Sequence, residues 1–166
     1  MHNLKRLLFP LLLTLALSLI LGACGTAGKK EAAAETNKTA KEMTEAIVAA
    51  VEQPNQMELD KMMVDATYHL DPSLLEDFSI RVPLMNVKSN EIAVFKIKDA
   101  KDIPTVEAGA KQRAADVQKM FETYLPDQYE NAKNYKLVTK GNYVFFAIGE
   151  RSDELVEIFE GFFGNK

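Results

Sequence analysis

The chain has 166 residues, with 20 basic against 24 acidic side chains, a net charge of −4, one cysteine, two histidines and no tryptophan. The acidic balance argues against a nucleic-acid partner, because neutralising phosphates needs a basic surface. One cysteine rules out an internal disulfide, and two histidines rule out a histidine-rich metal centre.

Residues 1–6 carry Lys5 and Arg6 and no acid, and residues 7–21 are apolar apart from Pro10, Thr14 and Ser18. A bilayer-spanning helix needs about 20 apolar residues, so this run is short for a span. A positive flank, a short apolar core and small residues after it are the marks of an export signal. The run closes on Leu21-Gly22-Ala23-Cys24, which resembles a lipobox, the cleavage and lipidation signal of bacterial lipoproteins. An uncleaved anchor, or an ordinary signal peptide cut near Ala23, are the alternatives. On the lipobox reading, residues 1–23 are removed and the chain begins at an acylated Cys24, carrying two or three chains such as palmitate. Each buried methylene contributes about 0.8 kcal/mol, and two chains hold where one is marginal. The expected location is the extracytoplasmic face of the cell membrane, with membrane lipid as the partner of Cys24.

Processing removes two basic groups and no acid, so 20 against 24 becomes 18 against 24, a net charge of −6 on 143 residues. Residues 24–35 lack large apolar side chains and read as the lipidated cysteine and a flexible tether, with a root-mean-square reach of roughly 18 Å. Lys29 and Lys30 within it read as solubilising charges. Residues 36–166 are the size of one domain, which needs no disulfide or metal to hold it.

In residues 36–52, Met43, Ile47, Ala50 and Val51 share one helical face. Asn55 and Glu58 form a capping pattern for a second helix with Leu59, Met62, Met63 and Ala66 as its buried stripe. Residues 77–85 alternate apolar and polar, as in a half-buried strand, with Pro83 placing it at an edge or at its end. Residues 91–98 form a second strand, apolar on both faces. Asp102 and Pro104 open a long helix whose inner face is Val106, Ala110, Ala114, Val117, Met120, Phe121 and Tyr124, ended by Pro126. Residues 135–140 and 143–149 form a hairpin around Lys140-Gly141-Asn142. Ser152 caps a last helix burying Leu155, Ile158, Phe159, Phe162 and Phe163. The order α-α-β-β-α-β-β-α predicts an α+β, two-layer fold: an antiparallel sheet of about four strands, with helices mainly on one face.

Three segments, Tyr68-His69-Leu70-Asp71-Pro72, residues 91–99 (EIAVFKIKD) and residues 140–146 (KGNYVFF), together with the lipobox resemble bacterial lipoproteins of the domain-of-unknown-function family 4358, common in Firmicutes. The resemblance spans residues 46–163. It implies a fold, an envelope location and a Gram-positive source, and it brings no reaction and no catalytic residues.

Chemistry is sparse. His69 is the only histidine after processing, and no Gly-x-Ser-x-Gly elbow accompanies it. Glu150, Asp153, Glu154 and Glu157, like Asp99 and Asp102, fall at helix starts, where the helix dipole favours acids. Met57, Met62 and Met63 suggest copper(I) ligation, against which core packing is the preferred reading. Arg81, Lys96 and Lys98, with Tyr143 and Phe145 and joined by Lys136 and Lys140, are expected to form a ligand or partner surface on the open sheet face. The commoner role of strand lysines is to discourage edge pairing. No cofactor, no metal and no catalytic residue is expected. The leading expectation is a non-catalytic, membrane-anchored extracytoplasmic domain that binds another envelope protein. Capture of a small molecule or cell-envelope fragment is the alternative, and an enzyme is the poorest fit.

Overall fold

The computed structural model describes residues 36–164; the signal segment, Cys24 and the tether lie outside them. Helix α1 (Ala40–Ala50) opens with a capping box in which Thr39 accepts from the Glu42 amide and Glu42 accepts from the Thr39 amide. Strand β1 (Gln56–Glu58), helix α2 (Lys61–Tyr68), strand β2 (Leu75–Pro83) and strand β3 (Glu91–Ile97) follow. Then come α3 (Ile103–Phe121), α4 (Pro126–Lys133), β4 (Lys136–Lys140), β5 (Tyr143–Ile148) and α5 (Ser152–Gly161).

The strands form one antiparallel sheet in the order β1-β2-β3-β5-β4. Alternation along the two inner strands divides the core. Ala93, Phe95 and Ile97 of β3, with Val144, Phe146 and Ile148 of β5, meet α2, α3 and α4 through Val64, Tyr68, Val106, Val117, Phe121 and Ala132. Ile92 and Val94, with Phe145 and Ala147, meet α1 and α5 through Met43, Ile47, Leu155 and Phe159 on the other side. A strand covered on both faces reads as continuously apolar, which is why EIAVF and YVFFAI lack polar alternation.

The α+β class and the antiparallel sheet are as expected. The sheet has five strands rather than four, and helices cover both of its faces rather than mainly one. The added strand is β1, which pairs Met57 with Val82 and Gln56 with Pro83. Pro83 thus ends β2 but does not mark the sheet edge; β1 does. Recruiting residues 56–58 into the sheet moves the start of α2 to Asp60, whose carboxylate accepts from the Met62 and Met63 amides, so Asn55 is not the cap. The shift also turns the helix. Val64 and Tyr68 are buried, while Met62 is 85% exposed and Met63 and Ala66 are also exposed. Core packing therefore does not account for Met57, Met62 or Met63.

Ala50 is exposed, Met120 and Tyr124 lie half-exposed at the end of α3, and Ser152 is the first residue inside α5 rather than its cap. α3 ends at Phe121, ahead of Pro126, which instead opens α4 in the first-turn position where proline suits a helix. The turn at Gly141 has φ 57°, the left-handed conformation the hairpin needs. Gly109 lets α3 approach α2: a Cβ there would lie 2.6 Å from the Tyr68 carbonyl oxygen.

Candidate functional site

Three polar side chains meet in the core. Tyr68 ends α2, Glu91 begins β3, and Arg113 stands on the inner side of α3 between Gly109 and Val117. Arg113 Nε donates to both Glu91 oxygens at 3.1 Å, and one terminal nitrogen donates to Oε2 at 2.7 Å. The Tyr68 hydroxyl donates to Glu91 Oε1 at 2.5 Å. Tyr68 is 0% and Glu91 1% exposed. Among the described residues, every hydrogen bond that the Glu91 carboxylate accepts comes from Tyr68 and Arg113, so it is a clamp between two helices and a strand rather than a free base. Burial lowers the affinity of Arg113 for its proton, but the bonds and charge of Glu91 outweigh this and raise it overall.

Burial, then the charge and hydrogen bond of Glu91, raise the Tyr68 phenol well above its ordinary value of 10.0. The folded phenol keeps its proton where the unfolded one loses it. Because the folded value is the raised one, this contribution is complete below about pH 10 and is lost as pH rises from there. Tyr68→Phe is expected to cost about 1.5–3 kcal/mol at neutral pH, the worth of a hydrogen bond to a charged group. It is also expected to remove part of the alkaline decline in stability, which urea unfolding from about pH 8 to 11 would read.

The Glu91–Arg113 pair floors a groove of about 250 Å³ between the loop after β2 and the second half of α3. Its walls include Val82, Leu84, Met85, Val117, Met120 and Phe121, with Lys88 at the rim. Leu84, Met85 and Met120 are 58%, 63% and 50% exposed. These exposed apolar side chains are gathered in one place rather than scattered singly over the surface. On the other side of the loop, a second cleft of about 310 Å³ is lined by Gln53, Lys88, Asn90, Glu150 and Arg151. Its charges are mixed, and Arg151 is engaged by Glu154 at 2.7 Å.

The surface expected from sequence is dismantled by the second helical layer. Phe145 is 0% and Tyr143 2% exposed, because α1 and α5 cover the face on which they stand. Phe145 stacks on Phe159 with centroids 4.7 Å apart, and the Tyr143 hydroxyl donates to the Lys38 carbonyl. Lys96 donates to Glu76 at 2.7 Å, and Lys98, at the surface, donates to the Ser73 carbonyl. Arg81 is half-buried, its Nε without a partner. Lys136 and Lys140 pair with Asp153 and Glu160. Tyr143 and Phe145 belong to the core and the lysines to separate surface contacts, so these side chains do not converge on one site.

His69 adopts the left-handed conformation at the end of α2 (φ 55°), and its Nε2 lies 2.9 Å from Asp116. The hydrogen bond to His69 is the main reason the Asp116 carboxyl lies below its ordinary range. Among the described residues, no three His, Cys, Asp or Glu side chains gather to hold a metal. No helix among them is long and apolar enough to cross a membrane. Cys24 and Leu21-Gly22-Ala23 lie outside the described residues. The Glu91–Arg113 clamp had a sequence signal: an arginine between Ala110, Ala114 and Val117 on a dry helical face needs an acid.

The profile of one family, described as Domain of unknown function (DUF4358), matches residues 49–149. The match runs from the end of α1 to the end of β5, and so contains the whole sheet, the clamp and the groove, while most of α1 and all of α5 lie beyond it. No curated protein and no solved structure matches the chain.

Proposed function

The chain belongs to the DUF4358 family, and from that premise we propose that it is a bacterial lipoprotein, anchored through Cys24 on the extracytoplasmic face of a Gram-positive membrane, that binds an envelope protein without catalysing a reaction. The observation that carries the binding reading is the exposed apolar groove above the Glu91–Arg113 clamp. An ion-paired floor beneath walls that include Met85 and Met120 suits a contact surface, since methionine adapts to varied partners. The anchor rests on the export signal ending in Leu21-Gly22-Ala23-Cys24.

Wild-type protein in cells is expected to incorporate an alkyne-palmitate label, and Cys24→Ser is expected to lose it completely. A label retained in the variant, or absent from the wild type, overturns the anchor. Amine crosslinking in the same cells is expected to capture a reproducible protein partner that is lost with Cys24→Ser. Failure to capture any partner while the protein remains at the membrane counts against the binding reading.

A second reading, capture of a small molecule or envelope fragment, draws on the mixed-charge cleft at Gln53 and Arg151. Its volume reaches the lower end of the roughly 300–1,000 Å³ usual for such sites. A rise in melting temperature with added muropeptides or other envelope fragments would favour it over a protein partner.

A further inference from the structure

We infer that the groove between Leu84 and Met120 receives a protein segment presenting one or two large apolar side chains with a carboxylate beside them, and that the carboxylate meets Lys88. This rests on the reading of the protein as a binding domain and specifies the partner's chemistry.

Size is the first argument. At about 250 Å³ the groove falls below the roughly 300–1,000 Å³ of small-molecule sites, yet it has room for the apolar anchor of a protein interface. Its apolar surface also continues sideways, because Met57, 41% exposed, is the cross-strand neighbour of the wall residue Val82.

Charge is the second. Of the three charged residues lining the groove, Glu91 and Arg113 neutralise each other in the floor. Lys88 makes no ion pair among the described residues. Asp127 feels the charge of Lys88, and its carboxyl lies below its ordinary range chiefly because the Gln128 side-chain amide donates to it. The groove lining thus carries one cation, Lys88, that no other lining residue neutralises, among apolar walls. A partner carboxylate complements it, and a partner cation is repelled.

Position is the third. The described chain enters beside Tyr143, whose hydroxyl holds the Lys38 carbonyl, and Tyr143 pairs with Lys96 at one end of β3. The groove lies at the Glu91 end, about 17 Å further along the strand at 3.3 Å per residue. Lys38 therefore lies at the end of the sheet away from the groove, and none of residues 36–39 lines it, which leaves the groove open to a partner segment.

Photo-crosslinking in cells tests this on the full-length protein, with p-benzoylphenylalanine placed in turn at Met85, Met120 and, on the outer side of α5, Glu157. The expected result is a protein adduct from Met85 and Met120 but not from Glu157, mapping to a segment with an acid next to its apolar anchor. Lys88→Glu, with an unchanged melting temperature, is expected to reduce the adduct about tenfold, and changing the partner's acid to lysine is expected to restore it. Adducts of the groove positions with lipid or with a second copy overturn the inference, as does indifference to Lys88→Glu. A partner captured only from Glu157 overturns the groove assignment while leaving the binding function standing. No protein adduct from any position overturns the inference, and with no partner from amine crosslinking the binding function falls too.

Discussion

Arg113→Ala is expected to destabilise the fold by about 3–5 kcal/mol, the usual cost of stripping one partner from a buried ion pair. Among the described residues, the guanidinium supplies three of the four hydrogen bonds that the Glu91 carboxylate accepts, and at 1% exposure bulk solvent has little access to replace them. What remains is a buried negative charge held by Tyr68 alone. Removing both charges is a different experiment. Glu91→Leu with Arg113→Met deletes the unpaired ion but leaves the Tyr68 hydroxyl buried without a partner, at about 1–3 kcal/mol. Adding Tyr68→Phe removes that orphan, so the triple variant is expected to recover most of the wild-type stability. Urea unfolding followed by circular dichroism reads all three. A single variant losing under about 1 kcal/mol would mean that the clamp is solvated.

The groove depends on the same clamp. Glu91 lies at the start of β3, directly after the loop that forms one wall, and Arg113 projects from the helix that forms the other. Loss of the clamp is therefore expected to loosen the contact surface as well as the core. Lys88→Glu, by contrast, alters an exposed charge and leaves the fold intact, which is why it serves as the binding probe.

How far the sequence discloses this arrangement depends on the range of the interaction involved. Strand β3, helix α3 and the turn at Gly141 are set by local signals: an apolar run, a 3.6-residue stripe and a residue that tolerates positive φ. Strand β1 is not. Asn55 and Glu58 have the spacing of a helix cap, and only the ladder with Val82 and Pro83 makes residues 56–58 a strand. That single long-range pairing resets α2 and exposes Met62 and Met63. Helical periodicity tells which side of α1 and α5 is dry, but not which face of the sheet it covers. The all-apolar YVFFAI of β5 carries the information that both faces are buried, which conflicts with helices mainly on one face. The groove is illegible for a related reason: Leu84 and Met85 lie 35 or more positions from Met120 in sequence, and only the fold brings them together.

Phe145 shows what that second face is worth. Read as a ligand-surface aromatic, it would cost within about 0.5 kcal/mol to truncate. The structure instead leaves it 0% exposed, stacked on Phe159 and flanked across the sheet by Val94 and Val138. Phe145→Ala is therefore expected to lose about 3–5 kcal/mol, from the transfer of the ring and the cavity it leaves between β5 and α5. Phe159→Ala should cost a comparable amount, and the double variant less than the sum, because both rings line one cavity. Leu84→Ala, at the rim of the groove, is expected to stay within about 0.5 kcal/mol of the wild type. Urea unfolding of these variants would therefore separate the two faces of the sheet: a large loss at Phe145 beside none at Leu84 makes the α1–α5 side core and leaves the Leu84–Met120 groove free to change without unfolding the protein.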